Sequence, residues 1–390
     1  MQRAWRYLER LSEHPHRGTA TAGEAAAAAE MKGWLEALGY RVETQEFRTP
    51  RDTLYLGPAV VLGGFALAAL LGRTWPWLSL VLCAGLLVPL VGELLGSSSV
   101  DFNRLLPTYK SRNLVARRPA GATVRRRLVI SAHYDTQRAS LLFHPSVAPH
   151  LQRYFTTVYG LLAVALVLLA VRWALPGQLW SSPLLVLVAV LLGLNVLFLL
   201  FCRVTGRHIN GANDNGTGAA LVLALAERFA AEPLADVELW FLLTGAEEVG
   251  TRGMKHFVRH TPLDAGSTMF INLDNLGGGT LHYLQGEGML AFRPYGPTLT
   301  NLAAQMASEH AGQVRAKRNL LLPTDGLIPS LAGFEAISFL AFAADGSLPN
   351  YHWYTDTLEN VDRELLAFAE AFIEQYVRRV ADAALVSETA

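Results

Sequence analysis

Apolar and polar positions alternate along much of the chain in short segments that are typical of an α/β domain. YRVETQEF, SRNLVARR, RRLVISAHYD, VELWFLLTG, STMFINLDNLG and AISFLAF are short and apolar or alternating, which predicts strands. TAGEAAAAAEMKGWLEALG, GTGAALVLALAERFA and RELLAFAEAFIEQYVRRVADAAL predict helices, the first of them ending at Gly39. Strands and helices that follow one another in this way predict an α/β fold with one central sheet.

Two longer stretches are apolar on every face. Residues 54–95 break between Gly72 and Pro76, and residues 155–202 break near Arg172 and Pro176, so that each half approaches the ~20 residues of a spanning helix. We predict two transmembrane hairpins, 54–95 and 155–202, which interrupt a domain made of residues 1–50, 108–140 and 205–390. Buried core helices of a large soluble protein are the alternative, although such segments are usually shorter and patterned.

Composition supports burial in lipid. Hydrophobic residues make up 51% of the chain and charged residues 17%, below the usual share of about 25%. The formal net charge is zero, which argues against nucleic acid as a partner. Two cysteines do not make a disulfide framework.

Positive charges predict the orientation of the spans. The N-terminal residues lack the apolar core of a secretion signal, so we expect the chain to start in the cytoplasm. The turns inside the hairpins hold Arg73 and Arg172, and the flanks on the domain side hold more positive residues, namely Arg48, Arg51, Arg104, Lys110, Arg153, Arg203 and Arg207. Positive residues favour the cytoplasm. We therefore expect a multi-pass protein, of a bacterial inner membrane, whose α/β domain is cytoplasmic.

Residues able to bind a metal follow several predicted strands. His133 and Asp135 end one strand and, at spacing i, i+2, point the same way. The adjacent carboxylates Glu247 and Glu248 follow another strand, and a cation would offset their repulsion. Asp214 precedes a helix between small residues, where it could equally be an N-cap.

Asp274 and His352 complete the set of potential ligands. Asp274 follows the strand MFINL, and His352 lies in the loop PNYHWYTDT. In open α/β sheets, sites form at the carboxyl ends of the strands. Imidazole and carboxylate suit zinc, with Co²⁺ or Mn²⁺ as conceivable substitutes. Five potential ligands exceed the needs of one catalytic zinc, which favours two ions that share a carboxylate.

The ordered series HYD, GANDNGTG, GAEEVGTRG, INLD and YHWYTDTLENVD resembles the di-zinc aminopeptidase family of peptidase clan MH. That family includes bacterial leucyl aminopeptidases and the glutamate carboxypeptidase group. The resemblance covers residues 20–50, 110–137 and 208–385. It implies a mixed, mostly parallel central sheet flanked by helices and a zinc-dependent exopeptidase, here a membrane-anchored aminopeptidase that acts on peptides.

The resemblance also implies a role for each residue. His133 and Asp274 would bind one zinc ion, while Glu248 and His352 would bind the other. Asp214 would bridge the two ions. Asp135 would orient His133. Glu247 would be the general base that takes a proton from the metal-bridging water and delivers it to the leaving amine.

The sequence departs from the family in one loop. Thr324-Asp325-Gly326 stands where the family usually reads Ser-Asp-His, and residues 280–318 show no specificity pattern, so the substrate-binding residues stay unassigned. An inactive receptor or scaffold of the same fold, a glutaminyl cyclase and another amide hydrolase remain alternatives. Asn195 and Glu93 provide too little polarity for a transporter. If both hairpins leave the sheet at the metal edge, substrates near the membrane are expected.

Overall fold

A computed structural model of the chain describes residues 3–94, 106–118, 126–178, 180–234, 237–289, 291–310, 312–320 and 323–386. Leu95, the predicted end of the first hairpin, and Arg104 lie outside the described residues. The chain divides into two compact units. Unit 1 consists of Met1–Arg51, Thr108–Ala139 and His208–Ala390, and unit 2 of Asp52–Pro107 and Ser140–Arg207.

Eleven strands occur in the described part of the chain: β1 (Arg41–Thr49), β2 (Tyr109–Arg117), β3 (Arg126–His133), β4 (Arg138–Ala139), β5 (Arg207–His208), β6 (Val237–Thr244), β7 (Thr268–Leu273), β8 (Thr280–Glu287), β9 (Arg293–Pro294), β10 (Val314–Asn319) and β11 (Glu335–Phe342). The main sheet has the order β1-β2-β6-β3-β7-β11-β8-β10, and β9 pairs with β8. Every strand that the apolar pattern predicts is present.

The sheet is mixed. Strand β3 runs parallel to β6 and β7, β7 is parallel to β11, and β8 is parallel to β10. The pairs β1–β2, β2–β6 and β8–β11 are antiparallel. All six residues of β7 are buried, whereas every residue of β1 at the sheet edge except Thr49 is exposed or half-buried. Burial on both faces explains why the central strands are continuous apolar runs.

The helices of unit 1 cover the sheet: α1 (Arg3–Ser12), α2 (Ala22–Ala37), α7 (Gly218–Ala231), α8 (Arg252–His260), α9 (Pro297–Glu309), α10 (Leu327–Leu331) and α11 (Arg363–Val386). Helix α7 contributes a nearly continuous run of buried residues from Gly218 to Ala226 and packs on β3, β6 and β7. Its start requires glycine, because a Cβ on Gly218 would lie 2.4 Å from the carbonyl oxygen of Leu273.

Unit 2 consists of two helical pairs, α3 (Leu56–Leu71) with α4 (Pro76–Leu94) and α5 (Leu151–Ala174) with α6 (Ser181–Thr205). The second pair meets the length and composition of membrane spans, over Ala148–Ala174 with 27 residues and Ser181–Thr205 with 25. The first pair is shorter. Helix α3 has 16 residues and therefore extends only ~24 Å, against a hydrocarbon thickness of ~30 Å. Two candidate spans, not the four predicted, thus pass this test among the described residues.

Strand directions bring the candidate ligands to one edge of unit 1. Residue His133 at the end of β3 pairs with Thr244 at the end of β6, and Ser131 pairs with Asn272 near the end of β7. Strand β1 is antiparallel to β2 and β2 to β6, so that β1 and β3 end at the same edge. The chain leaves unit 1 shortly after each of these two strands, at Arg51 and Ala139.

Candidate metal centre

The structure brings together the five candidate metal ligands His133, Asp214, Glu248, Asp274 and His352. His133, Asp214, Asp274 and His352 have exposed fractions of 2%, 2%, 4% and 3%. The ligand atoms of His133, Asp214 and Glu248 lie within 4.8 Å of one another. Imidazole and carboxylate groups from three separate loops therefore converge at the carboxyl edge of the sheet.

Asp214 lies between the two imidazoles. Its Oδ1 is 3.3 Å from Nε2 of His133, and its Oδ2 is 3.0 Å from Nε2 of His352. Hydrogen bonds from both rings hold the pKa of the Asp214 carboxyl below its ordinary value in spite of burial. Each oxygen thus faces a different imidazole, as a carboxylate that bridges two cations would.

The remaining candidate ligands divide between the two histidines. Asp274 Oδ1 is 3.7 Å from Nε2 of His133, and Glu248 Oε2 is 3.1 Å from Nε2 of His352. Asn275 Nδ2 donates to Asp274 Oδ1 at 2.8 Å, and Gln137 Nε2 donates to Glu248 Oε2 at 3.1 Å. This division follows the pairing that the family resemblance implies.

Asp135 is fully buried and connects two loops. Its carboxylate accepts the backbone N–H groups of Glu247 at 3.0 Å and Glu248 at 3.3 Å. Its Oδ1 is 3.6 Å from Nδ1 of His133, and its backbone oxygen is nearer to that nitrogen, at 3.2 Å. Asp135 therefore fixes the Glu247–Glu248 loop directly and borders His133 by both its main chain and its side chain.

Glu247 borders the cluster without belonging to either pair. Its Oε2 is 4.0 Å from Nε2 of His133. Burial raises the pKa of the Glu247 carboxyl well above its ordinary value; His133 opposes this shift, and Glu248, Asp325 and Asp274 add to it. A raised pKa makes a carboxylate a stronger base, which suits a group that takes up a proton during a reaction.

The residues present fit a divalent metal. Oε1 of Glu248 is buried and has no hydrogen-bond partner among the described residues, and an unpartnered buried carboxylate oxygen is costly without a cation. Separations of 3.0–3.3 Å around Asp214 match ligand atoms held about 2.1 Å from a shared ion. His133, Asp214, Glu248, Asp274 and His352 could hold such ions.

Three residues in left-handed backbone conformation border the cluster. Ala246, Asn275 and His352 have φ values of 58°, 50° and 50°. Such conformations cost free energy at non-glycine positions and accumulate at functional sites. Ala246 lies between the end of β6 and Glu247, Asn275 directly follows Asp274 after β7, and His352 is itself a candidate ligand.

Asp356 is a participant to which the sequence gave no role. Its carboxylate accepts the backbone N–H groups of Asn213 at 2.6 Å and Asp214 at 3.0 Å. It lies in the same motif as His352, four residues farther along the chain. The presence of Asp356 in the same motif as the candidate ligand His352 is the sequence signal that could have identified it.

The loop that departs from the family has a physical explanation. A Cβ on Gly326 would lie 2.1 Å from Oγ of Ser338 and 2.6 Å from the hydroxyl of Tyr295, so this position has no space for a side chain. Thr324 donates from its backbone N–H and its hydroxyl to the buried Glu287, at 2.6 and 2.7 Å. Asp325 is fully buried and accepts a hydrogen bond from Thr244.

Comparison with known proteins decides the family. Residues 199–377 match the model of Peptidase family M28. The chain carries a Peptidase family M28 domain. The matched region includes Asp214, Glu247, Glu248, Asp274 and His352.

Relatives of the M28 domain agree with this assignment. A probable lipoprotein aminopeptidase of Mycobacterium tuberculosis, LpqL, is 28% identical over 183 residues, which cover 40% of this chain and 37% of that protein. The match therefore spans well under half of the relative's length.

Solved structures share the fold of the M28 domain. A zinc aminopeptidase from Bacillus subtilis aligns with a TM-score of 0.58 and 14% identity, covering 97% of this chain and 94% of that one. A glutaminyl cyclase from Bacteroides thetaiotaomicron aligns with a TM-score of 0.55 and 13% identity, covering 96% of each chain. The mixed α/β architecture is common to both.

Proposed function

We propose that this protein is a membrane-anchored, zinc-dependent exopeptidase that removes N-terminal residues from peptides. His133 and Asp274 would hold one zinc ion and Glu248 and His352 a second, with Asp214 between them. Zinc is favoured over other divalent cations because the donor set combines imidazole nitrogens with carboxylate oxygens.

The observation that carries this proposal is the position of Asp214. Its two oxygens are directed at two different imidazoles, 3.3 and 3.0 Å away, and each imidazole has a further carboxylate beside it. One zinc ion would leave one imidazole–carboxylate pair unused. Two ions account for both pairs.

Glu247 is the residue that would move the proton. When bound, two zinc ions would lower the pKa of a water molecule and polarise the scissile carbonyl. Glu247 would take a proton from the attacking water and pass it to the leaving amine, because its carboxyl is buried beside the cluster and has a raised pKa. Asp135 would keep Glu247 in place through the backbone N–H bond of 3.0 Å.

Unit 2 supports the proposal of a membrane anchor. Only 28% of each apolar stretch in α5 and α6 is buried inside the structure, whereas the core helix of a soluble protein is mostly buried. Exposed tryptophans lie at the turns of both pairs, at Trp75, Trp77, Trp173 and Trp180, and membrane interfaces are enriched in this residue. We infer four spans, the short helices α3 and α4 included, with unit 1 in the cytoplasm.

Substrates near the membrane follow from the same proposal. The chain leaves unit 1 at Arg51 and Ala139, after β1 and β3, which end at the edge of the sheet that carries the candidate ligands. Peptides released at a membrane surface are therefore the substrates that we would test first.

Metal content and peptidase activity test the proposal together. Detergent-purified protein would be analysed by elemental mass spectrometry and assayed with aminoacyl fluorogenic substrates, with and without chelator. About two zinc ions per chain and chelator-sensitive release are expected. A protein that contains no metal and releases no product would refute the enzymatic function and favour an inactive scaffold of the same fold. Bound zinc without release would favour another amide substrate, and a glutaminyl cyclase assay would follow.

A further inference from the structure

Arg17 is a fully buried arginine in the segment between α1 and α2. Its guanidinium donates to backbone carbonyl oxygens: Nε to Tyr134 at 2.8 Å, Nη1 to Asn210 at 2.9 Å and Nη2 to Gly211 at 2.7 Å. A longer bond of 3.5 Å joins Nη1 to Leu11. Burying an arginine costs free energy. The presence of a buried arginine at this position therefore indicates a role for its bonds.

The three carbonyls that lie within 3 Å of the Arg17 guanidinium belong to two loops with candidate metal ligands. Tyr134 lies between His133 and Asp135, and Gly211 lies three residues before Asp214. The chain between these loops includes α5 and α6, so that neither loop is close to the other in sequence. The guanidinium joins them by bonds shorter than 3 Å.

The backbone around Arg17 lies along the first of these loops. Its N–H donates to the hydroxyl of Thr136 at 3.1 Å, and its carbonyl accepts the N–H of Thr136 at 3.2 Å. Two residues later, the hydroxyl of Thr19 donates to Oδ2 of Asp135 at 2.6 Å. Residues 17–19 thus form a short support beside residues 134–136.

Charge gives Arg17 a second effect. Burial lowers the pKa of the Arg17 guanidinium to about 10, and Asp356, Asp135 and Asp214 oppose that shift. The side chain therefore stays positively charged at neutral pH. A buried positive charge near three carboxylates reduces the repulsion that would otherwise spread the two loops.

We infer that Arg17 is a positioning residue of the metal centre, which sets the spacing between the His133 loop and the Asp214 loop. This inference rests on the proposed function, because it supposes that those loops bind metal. Thr19 supports the same loop through Asp135. Lysine cannot replace Arg17, because an ammonium group lacks the planar fork that reaches three separate carbonyls.

The test compares Arg17→Lys with a matched arginine elsewhere in unit 1. Arg118 donates to the backbone carbonyls of Ala230 at 2.7 Å and Leu38 at 3.0 Å, so that Arg118→Lys makes the same chemical change at a site remote from the candidate ligands. Zinc dissociation constants of the full-length protein in detergent would be measured by competition with a chelator. We expect Arg17→Lys to raise the constant about 10- to 100-fold, while Arg118→Lys stays within about twofold.

The thermal midpoint of the chelator-treated protein separates positioning from general loss of stability. We expect Arg17→Lys to lower the midpoint more than Arg118→Lys, because Arg17 is fully buried, but to keep a single transition above the temperature of the zinc measurement, so that the lower zinc affinity is that of a folded protein. If Arg17→Lys does not fold, the zinc dissociation constant of Thr19→Val tests the inference instead. This variant removes the hydroxyl that donates to Asp135 and keeps the side-chain volume nearly constant. A rise of several-fold in the zinc constant of Thr19→Val supports the inference.

Failure of the inference can be told from failure of the proposed function. A wild-type protein that binds no zinc would refute the proposed function itself. If wild type binds zinc and Arg17→Lys binds it within about twofold as tightly, or if Arg118→Lys loses as much affinity as Arg17→Lys, the positioning role is wrong. If Arg17→Lys does not fold and Thr19→Val leaves the zinc dissociation constant unchanged, the positioning role is also wrong.

Discussion

The carboxylate of Asp356 accepts the backbone N–H of Asp214 at 3.0 Å, although 142 residues separate the two in the chain. A second bond, from the N–H of Asn213, reaches the same carboxylate at 2.6 Å. The candidate bridging residue is thus held by its main chain, which leaves both oxygens of its side chain directed at the histidines.

Asp356→Asn should weaken metal binding about 10- to 100-fold, because an amide cannot accept both N–H groups as a carboxylate does. The zinc dissociation constant checks this. Asp362→Asn controls for the substitution itself, since Asp362 at the start of α11 accepts the backbone N–H groups of Glu364 and Leu365 through Oδ1 alone, which an amide oxygen can also do. Equal losses in the two variants would contradict a specific role for Asp356.

Glu247→Gln should lower turnover by about 100-fold or more, the scale expected for loss of a general base. The variant keeps the size of the side chain and both backbone contacts of the loop with Asp135, so that zinc content should stay near the wild-type value. Steady-state kinetics and elemental analysis of the same preparation check both parts. A variant that keeps wild-type turnover would remove Glu247 from the mechanism.

Asp214→Ala should lose metal as well as activity, because it removes the carboxylate that faces both imidazoles. Elemental analysis would show less than one zinc ion per chain, against about two expected for wild type. The contrast with Glu247→Gln is decisive: the same loss of metal in both variants would mean that the division into bridging ligand and base is incorrect.

The sequence was sufficient for the strands and for the residues that follow them. Runs such as LVISA are apolar because their strands are buried on both faces, and polar residues directly after such runs, His133 and Asp274 among them, reach the sheet edge. Arg17 and Asp356 could not be predicted in the same way. They bond to backbone groups far away in the chain, and such bonds leave no local pattern of residue types.

The apolar helices of unit 2 show the opposite limit. Composition located the helices α3 to α6, but the number of residues in each depends on where the turns begin. Gly72 ends α3, and α4 starts at Pro76, which has no backbone N–H to continue a helix. The helices of the first pair are therefore shorter than the apolar run 54–95, which has 42 residues, would allow.

Stability of unit 1 should fall as the pH is lowered through the range set by His208. The ring of His208 stacks on that of His16 at 4.7 Å between centroids, and burial, with His16, Arg138 and Arg51 nearby, lowers the pKa of His208 to about 4. The unfolded chain titrates near 6.5. Between pH 6.5 and pH 4 the unfolded state therefore binds more protons, and folding loses free energy as pH falls.

His208→Gln should reduce this pH dependence. The measurement is the thermal midpoint of chelator-treated protein at pH 7 and pH 5, with the exposed His260 replaced by Gln as control. A variant whose midpoint falls between the two pH values as much as that of wild type would exclude His208 as the source.

Cysteine labelling tests the four proposed spans. Cys83 and Cys202 are buried, so that Thr74→Cys and Gln178→Cys would place reactive thiols in the two exposed turns of unit 2. An impermeant maleimide should label both in intact cells and leave Glu13→Cys of unit 1 unlabelled until the membrane is opened. Labelling at Gln178 without labelling at Thr74 would restrict the spans to α5 and α6.

The chain passes between its two units four times, at residues 51–52, 107–108, 139–140 and 207–208. During synthesis, β1 is complete before the first helical pair exists, and β3 before the second, whereas β6, which separates β2 from β3 in the sheet, is made only afterwards. Folding of the peptidase unit must therefore wait for nearly two thirds of the chain. Both helical pairs of unit 2 are therefore synthesised before β6 can join β2 to β3, so that unit 2 has the chance to fold while the sheet of unit 1 is still incomplete.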